Sequence, residues 1–390
     1  MAVSDGNRPS RLRGALIAVL AILILVPAGI LFIRVWQQNA DQRDDTALER
    51  QGVEYLAGLS PLVSALTEAQ SSAIQGVSEA PASLTAAVTR MGAIDQRLGG
   101  TLETRERWTG LRDAIGRLPS VKGDKTQVFQ AHVEVSTLAL ALARAVADTS
   151  TLSRDPDNDL SHLQTAISVD LLDSVIQVSR MGDLSLLVAG ITGTPAERAQ
   201  AQAILLPQFG AAVSQVNADV AQLTDDLQAA VDDTASVTLS GSLVSTVDAY
   251  RRGVESFIRG ASPAGTIAGG GKPNQATMAT AQSQLQTSLA SLAGVLVREM
   301  NGLLDARQDR LDSRRIEAIV VAAVLGLLVL TVAFLALTGR RRRATAPETD
   351  DALSPLPDAP DPFAHSSFDP ASRYGAEVGP NRRERSGVVR

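Results

Sequence analysis

Cysteine is absent from this chain of 390 residues, which excludes disulfide bonds, thiolate metal sites and cysteine nucleophiles. Histidine is rare: His132, His162 and His365 are too few and too scattered in sequence for a histidine-based metal centre. The sequence also lacks a phosphate-binding glycine motif and the strand–turn–helix pattern of a serine hydrolase. We therefore expect no cofactor and no enzymatic activity.

Aromatic residues make up only 3% of the chain, which disfavours a sheet-rich core. Apolar residues instead recur at spacings of three and four in several segments, as in amphipathic helices. Three of these stripes are Leu56, Leu59, Val63 and Leu66; Val128, Ala131, Val135, Leu138, Leu142 and Ala145; and Leu285, Leu289, Leu292, Leu296, Met300 and Leu303. The pattern predicts an all-α domain, which we expect to form two stacked four-helix bundles that share long helices.

Two uncharged segments, residues 14–33 and 318–338, have the length of one bilayer crossing, about 20 residues. A cleaved signal peptide is the alternative for the first segment. Its apolar core is longer than the usual signal-peptide core of about 7–15 residues, which favours an uncleaved anchor. The sequence therefore predicts two transmembrane helices with a long polar region, residues 35–315, between them.

Arginines on the outer sides of both apolar segments predict the orientation. They are Arg8, Arg11 and Arg13 before the first segment, and Arg340, Arg341, Arg342 and Arg343 after the second. By the positive-inside rule, residues 1–13 and 339–390 are cytoplasmic and residues 35–315 are extracytoplasmic. We expect a bacterial inner-membrane protein, with the four-arginine block also contacting anionic lipids. The acidic excess of residues 35–315 gives no reason to expect a nucleic-acid partner.

An aspartate-rich segment, DTSTLSRDPDNDLSHLQTAI, separates two stretches of helical periodicity at residues 148–167. Pro156 disfavours helical geometry at the preceding residue, and short acidic side chains cap helix starts, so the segment is typical of a helix junction. The alternative is a ligand or cation site formed by Asp155, Asp157 and Asp159. A calcium loop is disfavoured because its glycine and terminal glutamate are missing.

The same segment resembles a signature of bacterial transmembrane receptors, the chemoreceptor-like proteins and sensor kinases, of the form D-x-S-N-L-x-L-D-P-D-x-D-S-Y-Y-L. The matching residues are Asp148, Ser150, Leu152, Asp155, Pro156, Asp157, Asp159, Leu163 and Gln164. Ser161 and His162 stand where the pattern has two tyrosines. The resemblance implies a helical sensory ectodomain, a homodimer and a ligand contacted near this segment, with His162 a further candidate.

Two other groups of residues are candidates on chemical grounds. Arg251, next to Arg252 and Tyr250, can bind a carboxylate or aromatic ligand, although a solvated helix face is the simpler interpretation. Residues 339–390 are rich in Pro, Ala, Asp and Ser, which predicts disorder. In this tail Thr345, Thr349 and Ser354 are candidate phosphorylation sites.

The tail is too short for the kinase, cyclase or adaptor-binding domain that the resemblance implies. We therefore expect a two-pass receptor-like protein that binds a small molecule outside and relays the signal to a separate protein partner. The alternative is a structural or scaffolding component of the cell envelope, which binds partner proteins without switching.

Overall fold

The computed structural model describes residues 9–77, 79–152, 158–233, 237–261 and 275–341. Within these ranges the chain forms helices and turns and no strand, which confirms the all-α prediction. The helices are α1 Pro9–Ile74, α2 Ala82–Leu98, α3 Arg105–Arg117, α4 Lys125–Thr149, α5 Asn158–Thr165, α6 Leu171–Ala189, α7 Pro195–Asp233, α8 Val237–Ala261 and α9 Gln275–Arg341. A 3₁₀ turn, Leu118–Ser120, follows α3, and a π-helix, Ala166–Asp170, joins α5 to α6.

Helices α1 and α9 each contain an apolar segment that is long enough to cross a membrane. The most apolar windows of these helices are 6% and 0% buried inside the protein, so their side chains face outward. Leu23 and Leu327, for example, are 67% and 68% exposed. Transferring such an exposed apolar surface from water into lipid is favourable. The core helices differ, because their apolar residues are already removed from water by packing on each other. The side of the membrane on which each terminus lies stays a prediction.

Polar contacts join α1 and α9 as an antiparallel pair. They are the bond from the Asn39 amide to the Leu311 carbonyl oxygen at 3.1 Å, the ion pair of Arg307 with Glu49 at 3.3 Å, and the bond from the Gln282 amide to the Ser71 hydroxyl at 3.4 Å. The residue numbers fall along α9 as they rise along α1, which fixes the register of the pair. Both members of the ion pair are buried, so separating them would be costly.

The remaining helices pack around α1. Helices α2, α4 and α6 contact α1 directly, α3 packs on α2 and α4, and α7 and α8 pack on α6. The Tyr55 hydroxyl donates to Asp95 of α2 at 2.8 Å, and the Gln70 amide of α1 donates to Asp183 of α6 at 2.7 Å. The α2–α4 group and the α5–α8 group therefore lie along the same half of α1. The stacked arrangement of two bundles is not established by these contacts.

Contacts divide the chain into two units, Met1–Val332 and Ala333–Arg390. All helix contacts given above belong to the first unit. In the second unit the structure describes only residues 333–341, which form the end of α9.

Candidate functional site

The structure places the predicted site residues in different parts of the chain. Asp155 and Asp157 lie outside the described residues, and Asp159 is described only as backbone in the first turn of α5. His162 lies on α5 with its Nδ1 atom 3.1 Å from an oxygen of Asp226 on α7. Arg251 is exposed on α8. Of these five candidates, His162 is the one whose described contact reaches another titratable group.

The tail candidates give a similar result. Arg340 and Arg341 form the end of α9 and are described as backbone. Arg342, Arg343, Thr345, Thr349 and Ser354 lie outside the described residues. Lipid contact and phosphorylation at these positions stay predictions.

The flanking helices agree with a helix junction at residues 148–167. Helix α4 ends at Thr149, and α5 begins at Asn158. Ser150 is fully buried and donates to the Val146 carbonyl oxygen at 2.6 Å. It packs so closely on α1 that a Cβ atom added at Gly52 would overlap the Ser150 side chain. Glycine at position 52 therefore allows the end of α4 to approach α1.

Aspartates from α6 and α7, together with the end of the π-helix, form a second polar region, which we call the acidic seam: Asp170, Asp173, Asp219 and Asp226. Burial raises the pKa of Asp170 to about 7, and the neighbouring carboxylates, Asp226 first, add to this effect. The π-helix inserts an extra residue into the turn, which changes the direction in which Asp170 projects, and such insertions are frequent at functional sites.

Basic and neutral groups only partly compensate this charge. His162 contacts Asp226, and Gln177 links Asp173 to Arg180 by hydrogen bonds of 3.0 and 3.3 Å. One carboxylate oxygen of Asp170 has no hydrogen-bond partner, and the same holds for one oxygen of Asp219. Two carboxyl groups in contact favour a shared proton over two charges, so the seam can hold or release a proton near neutral pH. Within the described residues, no acidic or histidine group has the arrangement of a metal site.

Helix α8 closes the acidic seam with Tyr250, which is 1% exposed. Burial raises the pKa of the Tyr250 hydroxyl to about 12, while the nearby Ser174 hydroxyl acts to lower it. Neither hydroxyl has a hydrogen-bond partner of standard geometry. Tyr250 therefore stays protonated at physiological pH and adds no charge to the seam.

A third polar feature is the buried carboxylate of Asp183 on α6. It accepts hydrogen bonds from the Gln70 amide at 2.7 Å and the Ser71 hydroxyl at 2.8 Å, both on α1. Burial raises the pKa of Asp183 to about 7, although these donors and Ser179 act in the opposite direction. Because the Ser71 hydroxyl also accepts a hydrogen bond from the Gln282 amide of α9, this cluster connects α6 to the α1–α9 pair.

A cavity of about 430 Å³ lies between the end of α1 and helices α2, α3 and α4. Its wall is mainly apolar, with Ala69, Ala73, Leu84, Val88, Ile115 and Val128 among the lining residues. His132 of α4 lines the same cavity and is 6% exposed. Burial lowers the pKa of His132 to about 4, so the imidazole is uncharged at neutral pH. This size and lining are typical of small-molecule pockets.

Comparisons with known proteins add no identification. No family model matches the sequence, and no curated protein or solved structure is significantly similar to it.

Neither the cavity nor the acidic seam was predicted from the sequence. Asp170 and Asp226 are 56 residues apart, and the helical period gives no sign of the π-helix that brings them together. His132 reads as a packing residue because its neighbours follow a helical stripe. The one usable signal was the presence of a histidine on the apolar face of that stripe.

Proposed function

We propose that this chain is a two-pass membrane receptor-like protein that senses a small molecule with residues 35–315, outside the cytoplasm. Both termini lie in the cytoplasm of a bacterial cell, and the spans contact membrane lipids. The chain has no catalytic role and acts through a separate protein partner at the membrane or the tail. The resemblance at residues 148–167 supports a homodimer.

The observation that carries this proposal is the path of α1. This one helix, Pro9–Ile74, contains the apolar segment near its beginning, and its other end forms a wall of the 430 Å³ cavity. Pro61 and Pro27 each remove one backbone hydrogen bond from α1, but the helix continues through both, so axial shifts and rotations at one end can reach the other. A ligand that changes the packing at Ala69 and Ala73 therefore acts on the same helix, α1, that enters the membrane.

The contacts between α1 and α9 extend this path to the second apolar segment. The buried pair of Glu49 with Arg307 and the bond from Asn39 to Leu311 hold the two helices in register. The Asp183 cluster connects α6 to the same pair. We propose that the two helix groups form a bundle side by side around α1, and that ligand binding shifts its population between two packings.

Spin labels on α1 and α9 test this relay in the full chain, reconstituted in lipid nanodiscs. Gln37 and Ser313 are exposed on the two helices just outside the apolar segments, and no native cysteine competes for the label. Small molecules that raise the thermal stability of the chain should also change the label distance. In Ala73→Phe, which fills the cavity, the same molecules should do neither. Ala141→Phe, at an exposed site on α4, is the matched control.

Stabilising molecules that leave the label distance unchanged in the parent chain would contradict the relay. A distance change that persists in Ala73→Phe would place the sensory site elsewhere.

One observation favours the second candidate function, a scaffold. An open groove of about 790 Å³ runs between α1, α2 and α9 and is lined largely by small side chains, including Ala57, Ala86, Ala290 and Gly294. Small residues allow a helix of another protein to approach closely. In this case Ala290→Trp would reduce the recovery of envelope proteins with the chain, while Ala73→Phe would leave it unchanged.

A further inference from the structure

The chemistry of the cavity wall restricts what the cavity can bind. Among the described residues, Glu79 and Arg112 are the ionisable lining residues besides His132, and both are exposed at the rim. Arg112 is 3.7 Å from the neighbouring Asp113, an exposed and weak pairing. A charged molecule deep in the cavity would lose its hydration without meeting an opposite charge, which is strongly unfavourable.

His132 supplies the polar group inside the cavity. His132 is buried, with 6% of its surface exposed. Its side chain has no hydrogen bond or ion pair with any described residue. Buried polar groups in folded proteins nearly always have a partner, because an unsatisfied group costs about 1–3 kcal/mol. The His132 ring nitrogens are not among the fully buried atoms that lack a partner, and the ring lines the cavity, so water or a bound molecule in the cavity can hydrogen-bond to them.

The protonation state of His132 defines the partner further. With its pKa lowered to about 4 by burial, the imidazole has one N–H donor and one acceptor nitrogen at neutral pH. A hydroxyl group can serve either nitrogen, and a carbonyl oxygen can accept from the N–H. A carboxylate would instead favour the charged imidazolium, which the apolar surroundings disfavour.

We infer that the cavity beside His132 binds an uncharged, mainly apolar molecule that carries one hydroxyl or carbonyl group. The apolar body fills the space lined by Ala73, Leu84 and Ile115, and the polar group hydrogen-bonds to the His132 ring. This inference rests on the proposed sensory role of the cavity and specifies the class of ligand that it senses.

The test uses the full chain in nanodiscs with isotope-labelled histidine rings. The chain has three histidines, so each ring resonance is assigned by substituting one residue at a time. The probes are 2-naphthol, naphthalene and 2-naphthoate, which share one apolar body and differ in the polar group. We expect 2-naphthol to bind saturably and to shift the ring nitrogens of His132 but not those of His162.

The contribution of the hydrogen bond is measured by comparing variants. The compared quantity is the Kd of naphthalene divided by the Kd of 2-naphthol. This ratio should be about five- to tenfold larger in the parent chain than in His132→Phe. Partitioning of the probes into lipid is the same in both samples and cancels. Ala73→Phe keeps His132 but should abolish binding, while Ala141→Phe should not.

Three results would overturn the inference: equal probe ratios in the parent chain and His132→Phe, tightest binding of 2-naphthoate, or no saturable binding of any probe. The spin-label distance, recorded on the same samples, tests the proposed function separately. Binding of 2-naphthol without a distance change would leave the ligand class standing and reject the relay.

Discussion

The two helix groups that pack on α1 bury their polar side chains in contrasting ways. The α2–α4 group surrounds an apolar cavity with an uncharged imidazole, His132, on its wall. The α5–α8 group instead contains the acidic seam, where Asp170 and Asp226 lie in contact. The first group therefore has the lining of a ligand pocket, and the second contains a carboxyl group whose pKa is raised to about 7. Both groups contact α1, so the proposed ligand site and the acidic seam are connected to the same helix.

The largest expected effect comes from the cluster that connects the two groups. In Asp183→Leu, the Gln70 amide and the Ser71 hydroxyl lose their acceptor while buried, so the free energy of unfolding should fall by about 3 kcal/mol. Denaturation followed by circular dichroism measures this change. The triple variant Asp183→Leu, Gln70→Leu, Ser71→Ala removes the donors as well and should recover most of the loss. An unstable triple variant would show that the cluster contributes packing rather than hydrogen bonds.

The contact between α6 and α8 should give the next effect. A Cβ atom at position 182 would lie 2.8 Å from the edge of the Phe257 ring, so Gly182→Ala should destabilise the chain by about 1–3 kcal/mol. The second substitution Phe257→Leu should relieve the clash. Gly294→Ala meets no atom within 4 Å and should be neutral or slightly stabilising. Equal effects of the two glycine substitutions would contradict the close packing of α8 on α6.

The next prediction concerns how the free energy of unfolding depends on pH. The pKa values of Asp170 and Asp183, ordinarily 3.8, are raised to about 7 in the folded chain. At pH values between 3.8 and about 7, these two groups stay protonated in the folded chain but have lost their protons in the unfolded chain. These two aspartates therefore lower the free energy of unfolding as the pH rises from about 4 to 7, and their effect levels off above 7. His132, whose pKa is lowered from 6.5 to about 4, makes a smaller contribution of the opposite sign below about pH 6.5, so the net free energy of unfolding should still fall.

Asp170→Asn isolates the contribution of the acidic seam to this profile. Because the site is partly exposed, the substitution should remove about 1–2 kcal/mol of the pH-dependent loss. Asp113→Asn, at an exposed site, is the control and should leave the slope unchanged. Stability that rises between pH 5 and pH 7 in the parent chain would contradict the assignment.

The smallest effect is expected at Arg251. Its side chain is exposed on α8, so Arg251→Gln should change the free energy of unfolding by less than about 0.5 kcal/mol. It should also leave probe binding at the cavity unchanged, as measured by the His132 ring resonances. A clear loss of probe binding would restore Arg251 as a ligand contact.

The sequence predicted what depends on local periodicity. The stripe from Leu56 to Leu66 is 0–2% exposed, and Leu285, Leu289 and Leu292 are 0–3% exposed. Leu138 follows the helical period of α4 but is 46% exposed, because the helices that pack on α4 cover a narrower face than the stripe. Periodicity shows which residues are able to face a partner, but the partner itself depends on tertiary packing.

The candidate sites were less predictable for the same reason. The acidic seam joins Asp170 of the π-helix to Asp226 of α7, and the cavity joins the end of α1 to α4. No local pattern specifies either pairing. The resemblance at residues 148–167 made His162 a candidate, and a ligand role for it stays a prediction. Its contact Asp226 lies 64 residues further along the chain, which no local pattern predicts.

The position of residues 35–315 outside the cytoplasm is the claim on which sensing depends. Cysteine accessibility in intact cells tests it directly, since the native chain contains no cysteine. A membrane-impermeant maleimide should label Ala141→Cys, exposed on α4, without permeabilisation, and should label Ala344→Cys in the tail only after permeabilisation. The reverse pattern would place the helical domain in the cytosol and contradict the account.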